Sequence, residues 1–92
     1  MRVTVWGRNC STCLECEEQL RRLGVEFEKG DLNFVLAGTW VMQKRPDSER
    51  LLDVAATYVR YHRMPILEID GKFGPYPDAM VSIPGVDKGG QL

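Results

Sequence analysis

Arg2-Val3-Thr4-Val5-Trp6-Gly7-Arg8-Asn9-Cys10-Ser11-Thr12-Cys13 is the stretch on which the fold turns. Residues 2–6 alternate, and Val3 and Val5 are β-branched, which is the pattern of a buried strand. Gly7-Arg8-Asn9 breaks that strand, and the cysteines follow at once. From Thr12 the period becomes helical. Cys13, Cys16, Leu20 and Leu23 recur at intervals of three and four, one face of a helix, with Glu15, Glu17, Glu18, Arg21 and Arg22 on the others. Thr12 and Glu15 have capping-box spacing, and Gly24 suits a left-handed C-cap. Val25-Glu26-Phe27-Glu28 alternates again and reads as a second strand.

Further along, Pro46 and Asp47 open another helix, with Asp47 at the N-cap and Leu51, Ala55, Tyr58, Val59 and His62 as its buried stripe. Met64-Pro65 stops it. Ile66-Leu67-Glu68-Ile69 is a strand, Asp70-Gly71 a two-residue hairpin turn, and Lys72-Phe73 the start of an antiparallel partner. Pro75, Pro77 and Pro84 leave room for one short helical turn around residues 78–83. Residues 85–92 read as a flexible tail. Phe34, Val35, Leu36, Trp40, Val41 and Met42 fit neither period. Residues 33–46 are therefore either an enlarged loop packing Phe34 and Leu36 on the core, or a partner-docking flap with Trp40 exposed.

The expected architecture is one α/β domain over residues 1–92, with order β-α-β-(insert)-α-β-β-short α. Strand–helix–strand at the start implies a parallel pair, and the closing hairpin makes the four-stranded sheet mixed. Twelve basic and thirteen acidic side chains give a net charge of -1. That balance argues for neither nucleic acid nor an anionic membrane as partner. The first apolar stretch is too short for a signal-peptide core, and residues 34–42 fall far below the ~20 apolar residues of a membrane helix. A cytoplasmic location is expected. There, clustered cysteines are more often catalytic or metal-binding than structural.

The chemistry centres on Cys10 and Cys13. Cys10 falls between a strand and a helix start, where unpaired N–H groups and a partial positive charge favour a thiolate. The thiolate is the attacking species in disulfide exchange, so Cys10 is the expected nucleophile. Cys13, one turn in, is spaced to resolve a mixed disulfide on Cys10. Arg8 and Arg63 are candidates to add positive potential. Cys16 has three readings: a small core residue, a third ligand beside Cys10 and Cys13 in a metal or iron–sulfur site, or a redox partner of Cys13. Only His62 is available as a histidine ligand. Three functions follow: a thiol–disulfide oxidoreductase, a metal or iron–sulfur binding module, or a non-catalytic interaction domain.

Residues 2–32 and 47–80 resemble the glutaredoxin family, and within it the NrdH-type redoxins that supply electrons to ribonucleotide reductase. Val3-Thr4-Val5-Trp6-Gly7-Arg8-Asn9-Cys10 is similar to the family's first strand and active-site entry. Gly24-Val25-Glu26-Phe27-Glu28 resembles its second strand, Met64-Pro65-Ile66-Leu67 its cis-proline strand and Asp70-Gly71-Lys72 its hairpin. Gly74-Pro75-Tyr76-Pro77-Asp78 resembles the Gly-Phe-Arg-Pro-Asp type of sequence in NrdH-type redoxins.

The resemblance implies a thioredoxin-like fold and a redox-active Cys10–Cys13 disulfide as the working group. It implies a substrate surface of Arg8, Ser11, Thr12, Met64, Pro65 and Asp78, with Pro65 cis and the Met64 backbone pairing with an extended substrate segment. A monomer is expected, and the implied partners are a protein disulfide, such as that of a reductase enzyme, and a flavoprotein reductase as electron donor. Asp78 falls where glutaredoxins contact the glutathione amine. The paired glycines near glutathione in that family are Pro75-Tyr76 here, and Ser11-Thr12 replaces the commoner Pro-Tyr, so neither a glutathione site nor a redox potential carries over.

Overall fold

The computed structural model describes residues 1–83. A four-stranded mixed sheet forms the middle layer, built from β1 (Val3–Gly7), β2 (Glu28–Asp31), β3 (Ile66–Ile69) and β4 (Lys72–Pro75). Its order is β2-β1-β3-β4. β1 and β2 are parallel, and the other two pairings are antiparallel. The helices are α1 (Ser11–Arg22), α2 (Leu32–Ala37) and α3 (Ser48–Tyr61), with single 3₁₀ turns over Thr39–Gln43 and Asp78–Ser82. Among the described residues, no helix is long and apolar enough to cross a membrane.

The period-two alternation of β1 divides the core. Val3 and Val5 face α1, where they join Cys16, Leu20, Leu67, Ile69, Met80 and Ile83. Trp6 faces the other way, into a cluster with Leu32, Val35, Trp40, Leu51, Val54 and Ile66. Each strand side chain thus goes to a defined layer, which is what pins the sheet register. Thr4 and Glu68 are cross-strand partners on the Trp6 face. There the Arg50 side chain donates to both Glu68 oxygens, at 2.7 and 2.9 Å, and to Thr4 Oγ1 at 3.0 Å. The same guanidinium lies 5.1 Å over the Trp6 ring, and the indole N–H donates to Glu68 at 3.1 Å. One arginine on α3 therefore satisfies the polar groups that the sheet buries, and it locks α3 to β1 and β3.

Several sequence expectations are corrected. The second strand is Glu28–Asp31 rather than residues 25–28. α1 ends in a Schellman motif: Gly24 takes φ 71°, its N–H bonds Arg21, and the Val25 N–H bonds Leu20. Val25 and Phe27 then pack on the core as a lead-in. The edge strand that follows is polar, and alternation does not find it. Its charges suit an edge. Gly30, opposite Trp6, leaves its surface bare so that the indole lies against it.

Residues 33–46 contain α2 and a 3₁₀ turn rather than a flap. Asp31 caps α2 by accepting from the Asn33 and Phe34 N–H groups at 2.9 and 3.3 Å, and Gly38 closes it at φ 74°. Trp40 is 2% exposed, and its indole N–H donates to the Val35 carbonyl at 2.9 Å. Phe34 and Leu36 pack beside it, as in the loop reading.

In α3, Asp47 occupies the N-cap position but makes no capping bond, because its carboxylate is held by Arg45 at 2.9 and 3.2 Å. The buried stripe is Leu51, Val54, Ala55 and Tyr58; Val59 is 63% exposed and His62 is exposed. Val59 sits to one side of the 3.6-residue stripe, and His62, though in line with it, is the C-cap beyond the last helical turn. The hairpin and the final short turn form as expected, with positive φ at Asp70 and Gly71. The expected tail, residues 85–92, lies outside the described residues.

A methyl group at residue 30 would collide with the Trp6 ring. Gly30→Ala is expected to lose about 1–3 kcal/mol of stability through overpacking, measurable as a lower urea midpoint with an unchanged slope.

Candidate functional site

Cys10 is the N-cap of α1, with extended backbone at φ -86° and ψ 167°. Its sulfur accepts from the Cys13 N–H at 3.3 Å. The helix thus begins one residue earlier than Thr12, and the Thr12–Glu15 capping box does not form. A cysteine replaces the usual Ser, Thr or Asp acceptor. The arrangement aims the unpaired N–H groups of the first turn at one sulfur. Ser11 and Thr12 are exposed on that turn, and Cys10 itself is half-buried.

The three sulfurs sit at increasing depth. Cys13 is 1% exposed and Cys16 is 0% exposed. Burial raises the Cys10 pKa, but the hydrogen bonds from the Cys13 side chain and from the Cys13 and Thr12 backbone outweigh it, so Cys10 is lowered overall. Cys13 is raised, first by burial and then by its hydrogen bond to Cys10. Burial pushes Cys16 up to about 12, with the negative charge around it adding to the effect. One sulfur is tuned toward thiolate and two toward thiol.

Gly7 and Pro65 complete the setting. A Cβ placed on Gly7 would fall 2.7 Å from Cys13 Sγ and 3.4 Å from Pro65 Cβ. The Cys13 sulfur and Pro65 therefore flank the same bare stretch of β1. Pro65 is buried behind a cis Met64-Pro65 bond, and Met64 is half-buried against the α3-side core. The Pro65 carbonyl accepts from the Tyr76 N–H at 3.0 Å. Tyr76 is buried, and its hydroxyl donates to Glu15 at 2.9 Å. That bond ties the β4 end to the first turns of α1. It also raises the Tyr76 pKa, second to burial.

The remaining expected residues divide. Arg8 lines a groove of about 440 Å³ beside Cys13. Asp78 instead pairs with Arg63 at 3.3 Å, both side chains being more than half exposed. That pairing partly neutralises Arg63 as a source of positive potential. His62 caps the C-terminal end of α3. Among the described residues, no group of three or more His, Cys, Asp or Glu side chains is placed to hold one metal ion, Cys10, Cys13 and Cys16 included. Sequence reasoning took Gly7 only as a strand breaker and Tyr76 only as a replacement for a glutathione-site glycine, without its reach to Glu15 sixty-one positions away. It also passed over Glu17, a buried carboxylate on the same groove as Cys13.

No protein-family model, curated protein or solved structure matches the chain.

Cysteine alkylation measures this tuning. With iodoacetamide at pH 7–8, Cys10 is expected to react rapidly, with its midpoint below the usual ~8.5 of a free thiol, while Cys13 lags and Cys16 reacts only after unfolding. Gly7→Ala is expected to move the Cys13 sulfur and raise Cys10's reaction midpoint, since it disturbs the Cys13 donors to Cys10. Equal reactivity of all three cysteines would contradict the assignment.

Proposed function

We propose that this chain is a thiol–disulfide oxidoreductase of the glutaredoxin type, an electron carrier acting on protein disulfides through Cys10 and Cys13. The observation that carries the reading is Cys10 as the N-cap of α1, its sulfur accepting the Cys13 N–H at 3.3 Å. In the reaction, the Cys10 thiolate attacks one sulfur of a substrate disulfide and forms a mixed disulfide. The first substrate thiolate leaves and takes a proton from water. Cys13 then attacks the Cys10 sulfur, closes the Cys10–Cys13 disulfide and expels the second substrate thiol. An external reductant restores both thiols.

The fold supports the reading. A thioredoxin-like domain is expected to carry its cysteines between the first strand and helix and a cis proline before an antiparallel strand, and the order β2-β1-β3-β4 is consistent with it. Pro65 beside Cys13 leaves the Met64 backbone as the candidate rail for an extended substrate, flanked by Ser11, Thr12 and Arg8. Tyr76, bonded to Glu15, stands where the resembled family keeps glycine near glutathione, which favours a flavoprotein reductase over glutathione as donor. A monomer in a reducing cytoplasm suits an open site of this kind.

With insulin as substrate and dithiothreitol as reductant, the chain is expected to accelerate reduction, and Cys10→Ser is expected to return the rate to background. With insulin alone and no added reductant, Cys13→Ser should accumulate a mixed disulfide on Cys10 that later addition of dithiothreitol releases. Full turnover by Cys10→Ser would remove the proposal.

A further inference from the structure

α3 carries a second apolar row that the core does not use. Leu51, Ala55 and Tyr58 pack on the sheet, and the residue after each, Leu52, Ala56 and Val59, repeats that spacing about 100° further round the helix. This second set faces solvent. Leu52 is 55% exposed and Val59 is 63% exposed, with Ala56 exposed between them. Intervals of four and three put the three side chains in one line. The line is about 10 Å long, two turns of helix. A surface helix ordinarily shows one apolar stripe, the one that meets its own core.

The charges beside this row change sign along it. Glu49 lies one turn before Leu52, and Asp53 directly follows Leu52. Arg60 directly follows Val59, and Arg63 lies one turn beyond. All four are exposed. Asp53 and Arg60 are two turns apart and so share one flank of the row. Arg60 rests over the Tyr61 ring at 5.3 Å, and Arg63 also meets Asp78 at 3.3 Å. Ala56 divides the acidic half from the basic half. A row that reverses its charge about its own midpoint is complementary to itself turned end for end. A parallel copy would set Asp53 against Asp53 and Arg60 against Arg60. An antiparallel copy sets Asp53 against Arg60 twice, Leu52 against Val59 twice, and Ala56 near Ala56 on a two-fold axis.

We propose that α3 pairs with the α3 of a second copy of this chain, antiparallel and two-fold symmetric, through Leu52, Ala56 and Val59. Alanine at the axis lets the two helices approach to about 8 Å, the short end of ordinary helix packing. The row is small beside the ~800 Å² per partner of a standard interface, so the monomer pairs reversibly and is half-paired at roughly 10–100 μM. Leu52 and Val59 supply the contact that holds the copies together. The Asp53–Arg60 pairs set their direction more than their affinity, because exposed ion pairs are weak and like charges in register exclude the wrong arrangement. Cys10 and Cys13 sit on α1, across the sheet from α3, so each copy keeps its cysteines open. The pairing holds whether or not those cysteines exchange disulfides.

Sedimentation velocity over a concentration series tests the pairing, with dithiothreitol present to exclude cross-links between cysteines. The unmodified chain is expected to pass from one copy to two between about 1 μM and about 1 mM. Val59→Lys, and independently Leu52→Lys, should raise the half-pairing concentration at least about tenfold by charging the apolar row. Asp53→Arg sets arginine against arginine, and Arg60→Asp sets aspartate against aspartate, so each alone should weaken pairing by about the same factor. Mixed one to one, those two variants meet opposite charges again and are expected to pair near the original concentration. All four positions are exposed, and an unchanged urea midpoint assigns each loss to the interface rather than to the fold. A chain that stays monomeric to about 1 mM would overturn the proposal and leave the row to a different protein. Association that survives both lysine variants, or a mixture that pairs no better than its components, would overturn it as well.

Discussion

The space that a side chain on residue 7 would fill is occupied by the Cys13 sulfur. Everything at the site is arranged around that contact. Because β1 ends in glycine, α1 can lay its second cysteine on the strand, with Pro65 against the same spot from the β3 side. With Cys13 held there, its backbone N–H points back at Cys10, and the helix starts on a sulfur. The tuning of the two thiols follows from the same placement. One lies at the mouth of the helix with donors aimed at it, and the other is buried beneath it, where a charge is poorly solvated.

The two faces of the sheet handle buried charge differently. On the α3 face, Arg50, Glu68, Thr4 and Trp6 form a closed set in which each polar group has a partner. Its Arg50–Glu68 pair is charge-assisted, with the Arg50 Nε–H shared between the two carboxylate oxygens while the Nη2 group reaches Thr4. On the α1 face, Glu17 is also paired, but on the wall of a groove open to water. A closed polar network stabilises and specifies. The first pair ties α3 to the sheet, and the second ties α1 to the edge strand β2.

The segment between β2 and α3 explains a further feature of the core. Trp40 is buried and spends its indole N–H on the Val35 carbonyl. It therefore acts as the plug that completes the cluster of Leu32, Val35, Leu51 and Val54. The exposed apolar residues of that segment are its neighbours Val41 and Met42. In so small a domain, an aromatic of this size is a large share of what one core can bury.

Much of the fold was legible in the chain. β1, β3 and the Asp70-Gly71 hairpin declare themselves by alternation and turn chemistry, and α1 by the spacing of Cys13, Cys16 and Leu20, because these signals are local and periodic. The burial order of the cysteines was legible for the same reason. Local pattern did not reveal β2. Its residues are polar because it is an edge strand, and its place beside β1 depends on Gly30 receiving the Trp6 ring. Nor did it reveal α2, whose six residues are too few to show a period. The joining of Gly7 to Cys13 and Pro65, of Tyr76 to Glu15, and of Glu17 to Lys29 was decided only by tertiary structure. A sequence records which groups are present and their local period. The distances that make a thiolate, a filled strand end or a buried ion pair arise only when distant segments pack.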